Sequence, residues 1–301
     1  MTQQDHDPKA LVDDLVALLT VTEGEPMHFA GRYQKDGVGR VFGGQVIAQA
    51  LQAAQATVDG GKTAHSLHAY FLRGGVEGVG IDHRVAADFD GRSFANRRVV
   101  ASQEGSPILN LTASFQQPED GLTHDDSPMP DVPAPDDLKS DQEQRREIME
   151  KMGAMNEVQR AMMTRPRPIE MRTAGKLHWM NSEPSEPEAF SWFRTVAPLP
   201  DDPAMHRAVI AYASDFTLLG TSALPHGLTW MRGELVGASL DHAIWFHREA
   251  RADEWLLYAT DSPWSGSGRG FNRGRIFTAD GTLVASVAQE GMMRKRIPKT
   301  A

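Results

Sequence analysis

The sequence predicts an α+β fold in which one unit, a helix followed by antiparallel strands, occurs twice. Three observations predict it: a strand–turn–strand pattern around Gly105 that recurs around Gly281, an apolar helical stretch ahead of each, and a Pro- and Asp-rich segment between the copies. Hairpin turns need positive φ, which Gly adopts without steric cost, so Gly between two strand-like runs is a strong hairpin signal.

In chain order, the first apolar helix is predicted over Gly43–Thr57, where Val46, Ile47, Leu51 and a series of alanines leave few polar positions. Ser66–Arg73 reads as a strand, and Arg97–Ser106 with Ile108–Ser114 reads as a hairpin closed at Glu104-Gly105. Pro118–Asp137 is too rich in Pro and Asp for a regular element and is read as a linker. Leu138–Met163 has helical composition, with Met149, Met152, Met155 and Met162 near one stripe; methionine fills irregular gaps, so this stripe is expected to pack against the body. A second apolar helix is predicted over Arg207–Leu219. Ser239–Arg248 then echoes Ser66–Arg73, and Arg273–Thr282 with Leu283–Ala288 forms the second hairpin, around Asp280-Gly281. The expected division is residues 1–117, a connecting segment at 118–165, and residues 166–301.

Bulk composition limits the function classes. The 301 residues are 40% hydrophobic and 24% charged, a globular balance with ample material for a core. A net charge of -9 argues against nucleic acid as a partner, and the basic run Arg294-Lys-Arg296 with Lys299 is most simply a solvated terminus. The absence of cysteine removes disulfides, Cys-ligated zinc and thiol nucleophiles together. No window approaches the roughly 18 apolar residues of a membrane span, and Met1–Asp7 lacks the basic and apolar regions of a signal peptide. The chain is expected to be cytoplasmic and off the membrane.

Asp215 is the residue that asks for an explanation. It falls within the apolar stretch Arg207–Leu219, where a lone carboxylate loses several kcal/mol of hydration unless it is hydrogen-bonded, paired or neutralised. A structural use is an Asp near a helix start, capping backbone N–H groups; the other use is chemistry.

The strings Val41-Phe-Gly-Gly-Gln-Val46, His65–Arg73, Tyr212-Ala-Ser-Asp-Phe216, Asp241–Arg248, Glu254–Tyr258, Arg269-Gly-Phe271 and Val284–Gly291 resemble, in collinear order from about Phe29 to Arg294, the acyl-CoA thioesterase II family. The resemblance implies a double hotdog, two helix-plus-antiparallel-sheet repeats forming one pseudo-dimeric unit. It implies hydrolysis of acyl-CoA to fatty acid and CoA, with acyl-CoA as substrate, no cofactor, no metal and no covalent intermediate, in a homodimer or tetramer. By motif it assigns catalysis to Asp215, to the hydroxyl of Ser239 and to Gln289, which together hold a water. The family pattern usually carries Thr where this chain carries Ser239, so the hydroxyl is kept and the β-branch that limits its rotamers is not.

Residue chemistry supplies its own expectations. Alternation along Leu283–Gln289 places Leu283, Ala285, Val287 and Gln289 on one face; if that face is the core, Gln289 brings a buried amide that needs partners, and Asp215 is one in prospect. The same alternation sets Ser239 and His242 on opposite faces, excluding a local nucleophile–base pair. Partial burial is expected to raise the Asp215 pKa and make it a better base. The oxyanion could be met by N–H groups at Gly43 and Gly44, although two glycines there serve tight packing equally well. Arg269 and Arg273, in a basic, glycine-rich loop, could meet CoA phosphates or be ordinary surface arginines. His65 and His68 are expected on opposite faces, which disfavours a shared metal.

The two copies are not equivalent. Aligning Phe42–Gln45 with Tyr212–Asp215 sets Gln45 against the proposed base, and Ala113 or Ser114 against Gln289, so one active centre per chain is expected. The rival readings are a hotdog hydratase or dehydratase, which would need His68 or His242 at the site, and a non-catalytic acyl-CoA-binding module.

Overall fold

The computed structural model describes residues 7–34, 37, 39–151, 160, 163–175, 177, 182–230 and 232–296. In chain order the strands are β1 (Val21–Glu23), β2 (His28–Gly31), β3 (Thr63–Phe71), β4 (Ile81–Asp90), β5 (Phe94–Gln103), β6 (Ser106–Gln116), β7 (Ile169–Thr173), β8 (Glu188–Thr195), β9 (Leu235–Ser239), β10 (Asp241–Phe246), β11 (Leu256–Gly266), β12 (Arg269–Thr278) and β13 (Leu283–Lys295). The helices used below are α1 (Pro8–Leu19), α2 (Gly43–Gln55), α3 (Asp141–Lys151), α4 (Pro203–Ala213) and the single-turn α5 (Leu218–Thr221).

All neighbouring strands are antiparallel and form one sheet in the order β1-β2-β4-β5-β6-β3-β10-β13-β12-β11-β8-β7, with β9 also pairing β13. The order is symmetric about the seam where Ala69 of β3 meets His242 of β10. Stepping outwards, β3, β6, β5, β4, β2 and β1 match β10, β13, β12, β11, β8 and β7. The fold is therefore α+β, a double hotdog with the repeat predicted from the two glycine turns. Both turns have the expected backbone, with φ of 74° at Gly105 and 90° at Gly281.

Helix α2 lies on β3–β6, and α5 lies against β9 and β11–β13. Helix α4 packs on α2 and α1, inside a core that runs through both halves. Its residues Met205–Ala213 are all buried, as a helix apolar on every side must be. The predicted second helix, Arg207–Leu219, is corrected in one respect: α4 stops at Ala213, and Asp215 lies in the turn before α5. Ser214-Asp-Phe-Thr217 breaks the helix because Ser, Asp and Thr side chains compete for backbone groups; Ser214 Oγ donates to Ala211 O at 2.9 Å.

The linker has one short regular element, a 3-10 turn at Pro135–Asp137. It is held to the second half by Trp192 Nε1 donating to Pro133 O at 2.9 Å and by Arg172 Nη1 donating to Pro135 O at 2.7 Å. Met129, Val132 and Leu138 cover a satellite core of Trp192, Leu257, Ala259 and Phe277. Of the predicted methionine stripe, Met149 is half-buried, and Met152, Met155 and Met162 lie outside the described residues, as does Lys299. Among the described residues no helix is long and apolar enough to cross a membrane.

Candidate active site

Four segments converge on Asp215: its own turn after α4, the end of β9, the middle of β13 and the start of α2. Asp215 Oδ1 accepts from Gln289 Nε2 at 2.7 Å and from Ser239 Oγ at 3.4 Å. A backbone hydrogen bond from Gly44 also reaches the carboxylate. Gly44 lies in the first turn of α2, whose N-cap residue Phe42 makes no side-chain cap bond, so the unspent N–H groups and the positive end of the helix meet a negative charge.

Burial outweighs these three donors. Asp215 is half-buried as a residue, and the atoms enclosing its carboxyl desolvate it and push its pKa up to about 6, while the bonds from Gln289, Gly44 and Ser239 pull the other way. A carboxylate titrating near 6 is ionised at neutral pH and more basic than an ordinary Asp. Phe42, Tyr212 and Phe216 form an apolar wall close by, with ring centroids 5.1 Å apart pairwise.

Gln289 is fully buried on the core face of β13, as alternation with Val287 predicts. Its Nε2 serves two acceptors, Asp215 Oδ1 and His242 Nδ1, the latter at 3.1 Å. His242 is fully buried, and desolvation pushes its pKa down to about 3, so the ring is neutral. The hydrogens follow from the Ala211 carbonyl, which can only accept. Ser214 Oγ donates to it, His242 Nε2–H donates to Ser214 Oγ at 2.9 Å, and His242 Nδ1 is left to accept from Gln289. Tyr258 Oη donates to Ser214 O at 2.8 Å and anchors the same turn.

The expectation that Ser239 and His242 face opposite ways is overturned. In the pairing with β13, Ser239 stands opposite Gly291 and Ala243 opposite Ala288, so four steps on one strand span three on the other. The extra residue is a β-bulge around Leu240, and a bulge resets the alternation of side chains. Ser239 and His242 both reach the Asp215–Gln289 cluster, one through Asp215 and the other through Gln289. They still form no pair with each other, since both His242 nitrogens are engaged elsewhere. His242 is the site residue that sequence reasoning missed, because nothing in Ser239-Leu-Asp-His242 marks a bulge.

The remaining candidates separate. A Cβ on Gly43 would stand 2.6 Å from Asp215 Oδ2, and one on Gly44 would stand 2.4 Å from Tyr212 O, so both glycines make room for the Asp215 turn. Arg269 and Arg273 are not brought to the cluster. They alternate along β12 with the buried Asn272, which is paired with Gln289, and so stand on the other face of the sheet. Arg269 pairs with Glu290 at 3.1 Å and Arg273 with Asp261 at 2.7 Å. His65 bonds Ser114 Oγ at 2.8 Å, whereas His68 packs edge-on against Trp245.

Comparison with known proteins identifies the family. A family profile described as acyl-CoA thioesterase matches residues 158–292, and one described as the acyl-CoA thioesterase N-terminal domain matches 33–116. The chain is 35% identical to acyl-CoA thioesterase 2 of Haemophilus influenzae, over 94% of this chain and 98% of that one. It is 37% identical to human acyl-coenzyme A thioesterase 8, over 93% of this chain and 89% of that one. Among solved structures it is similar to an acyl-CoA thioesterase II, TesB2, from Mycobacterium marinum, with a TM-score of 0.75 and 37% identity over 95% of this chain and 98% of that chain.

Proposed function

Since the chain belongs to the acyl-CoA thioesterase family and its reaction is the hydrolysis of acyl-CoA thioesters, we propose that Asp215 is the general base of that reaction. The observation that carries the proposal is the Asp215 carboxylate, pushed to about 6 and held by Gln289 at 2.7 Å. Oδ1 takes both side-chain donors, which leaves Oδ2, beside Gly43, as the oxygen that receives a proton from water. The water oxygen forms a bond to the thioester carbonyl carbon as its proton passes to Oδ2. The C–S bond then breaks, the thiolate of CoA leaves, and the proton on Asp215 returns to it. Positioned proton transfer of this kind contributes about 10²–10⁴-fold.

Ser239 and Gln289 orient carboxylate and water. Both hydrogens of Gln289 Nε2 are engaged, so its contact with water is through Oε1, which accepts. The hydratase reading is not favoured, since the relatives at 35% and 37% identity are thioesterases and His242, although it reaches the site, is bonded through both ring nitrogens. One active centre per chain is supported by the first repeat, where Gln45 Nε2 donates to Arg32 O at 3.0 Å in place of a carboxylate. We assign Gly43, beside Asp215 Oδ2, to the approach of the thioester, and residues 1–117, 118–165 and 166–301 to first repeat, connector and second repeat; Arg269 and Arg273, on the other face of the sheet and paired with Glu290 and Asp261, are surface arginines. The exposed aromatic side chains Tyr70 and Trp245 beside the β3–β10 seam support a homodimer or tetramer. An acyl-CoA substrate, found inside cells, supports a cytoplasmic location.

Replacement Asp215→Asn keeps the shape and removes the base. Thiol release from acyl-CoA, followed with a thiol reagent, is expected to fall by about 10²-fold or more, while loss of enoyl-CoA absorbance stays absent in both proteins. Turnover like the wild type in a folded Asp215→Asn protein refutes the assignment.

A further inference from the structure

Two buried amides stand side by side in this site, and each has an oxygen without a partner. Gln289 and Asn272 are directly opposed in the β12–β13 register, and both are fully buried on the core face. Among the described residues, Gln289 Oε1 and Asn272 Oδ1 have no hydrogen-bond partner, and Asn272 Nδ2 has only a long contact, 3.5 Å, to Gly270 O. Buried polar atoms are almost always bonded, so this pair needs an account.

Strand order supplies the direction. His242 lies on the β10 side of β13 and takes one hydrogen of Gln289 Nε2, so the amide turns its nitrogen towards β10 and its carbonyl oxygen towards β12, where Asn272 stands. Cβ atoms of directly opposed residues lie about 4.5–5.5 Å apart, which puts two amide side chains within hydrogen-bonding range of each other. Rotation about the last torsion of Asn272 interchanges its oxygen and nitrogen positions, and Nδ2 still carries a hydrogen to give. Its neighbours on the same face, Gly270 and Gly274, contribute no side chain to block that rotation.

We propose that Asn272 is a positioning residue of this site: its Nδ2 donates to Gln289 Oε1 and thereby holds Gln289 Nε2 on Asp215. The inference rests on the assignment of Asp215 and Gln289 above and extends it by one residue. A carbonyl oxygen has two lone pairs, so Oε1 accepts from Asn272 and remains open to water. With Asn272 in place, each hydrogen-bonding atom of the Gln289 amide has a partner, and the chain Ala211–Ser214–His242–Gln289 acquires an end stop on β12. Without it, the Gln289 amide is free to rotate, and a carboxylate that loses this donor is a weaker acid.

The test is the acid limb of the pH profile, which a merely structural role would not move. Asn272→Val is β-branched, suits a strand and removes both donor and acceptor. It is expected to lower kcat roughly five- to tenfold, the equivalent of one neutral hydrogen bond, to shift the acid limb to higher pH, and to leave KM nearly unchanged. Asn272→Ser, which retains a donor, is expected to recover part of both effects and keeps the test decisive if the valine variant does not fold. In a Gln289→Ala background the Asn272 substitutions are expected to have no further effect on the limb. An unmoved limb in folded Asn272→Val, or full additivity with Gln289→Ala, overturns the inference. Asp215→Asn and Gln289→Ala in the same series keep the two levels apart. If they abolish turnover while Asn272→Val does nothing, only the role of Asn272 falls; if Asp215→Asn is active, the site assignment falls with it.

Discussion

Gly43→Ala is the smallest change that strikes the proposed base oxygen. The added Cβ would lie 2.6 Å from Asp215 Oδ2 and 2.9 Å from Phe71 Cζ. Phe71, half-buried at the end of β3, can swing away. The carboxylate cannot move freely, because Gln289 already sits 2.7 Å from Oδ1. A carbon–oxygen contact relaxes near about 3.3 Å, so the carboxylate must retreat by roughly 0.7 Å or the start of α2 must shift by as much. Misplacement of a reacting group by about 1 Å can cost 10²-fold, and the expected loss in kcat is therefore between about 10- and 100-fold. The methyl also covers Oδ2 and desolvates it further, so the acid limb of the pH profile, expected near pH 6 in the wild type from the raised Asp215 pKa, is expected to move up. Thiol release measured between pH 5 and 9, with circular dichroism as the control for folding, reads both effects. A folded Gly43→Ala protein with wild-type kcat and an unmoved acid limb would show that Oδ2 is not the working oxygen.

Three further outcomes follow from the same geometry. Asp215 has a pKa near 6 in the fold against an ordinary 3.8, so its stabilising proton is held in full below about pH 4 and lost as pH rises through 6. Asp215→Asn, which does not titrate, is accordingly expected to be about 1–3 kcal/mol more stable than the wild type above pH 6, with the gain gone near pH 4; a difference in urea melts that stays constant with pH counts against the raised pKa. Gln289→Ala is expected to abolish most hydrolysis, whereas Gln45→Ala loses stability but keeps turnover per folded molecule, because the Gln45 amide is spent on Arg32 O and not on Asp215; equal losses in turnover at matched stability would point to two working sites. Ser239→Thr is expected to stay active and Ser239→Ala to retain a measurable fraction. Intact-protein mass spectrometry after quenching with a slow acyl-CoA should show no acyl adduct, and an adduct mapped to Ser239 would replace direct hydrolysis with a covalent route.

Legibility in the sequence followed the range of the interaction. The hairpins at Gly105 and Gly281 are set by a few adjacent residues and were readable from them. The two repeats followed because the same local patterns occur twice. Helix α1, absent from the elements predicted above, carries local signals as well, an Asp7 N-cap, Pro8 in the first turn and buried Val12, Leu15, Leu18 and Leu19 at helical spacing. What could not be read is non-local. The end of α4 at Ala213 has a local part, Ser214 turning back on Ala211, but it also depends on Tyr258 of β11 holding the turn, which no local pattern shows. The bulge at Leu240 depends on β13, and with it the inward aim of His242. Asn272 shows the same limit: its string Arg269–Gly274 reads as a basic loop, and only the register with Gln289 places its amide in the site.

The distribution of donors around Asp215 explains why the repeats remain in one chain although only one carries the carboxylate. Ser239 and Gln289 come from the second repeat, but the N–H of Gly44 comes from the start of α2 in the first. An isolated second repeat would keep the acid and two of its donors and lose the helix end that favours its charge. It would also lose the α2–α4 contact that holds the Asp215 turn under cover. The first repeat has no base to retain, and its Gln45 and Gln49 are spent on backbone carbonyls, Arg32 O for both and Leu18 O for Gln49. Those bonds tie α2 to Arg32, just past the end of β2, and to Leu18 of α1. A carboxylate in one copy and none in the other therefore amounts, on the proposed mechanism, to a division of labour, in which one repeat supplies the proton acceptor and the other contributes to the electrostatic surroundings that set its pKa near 6.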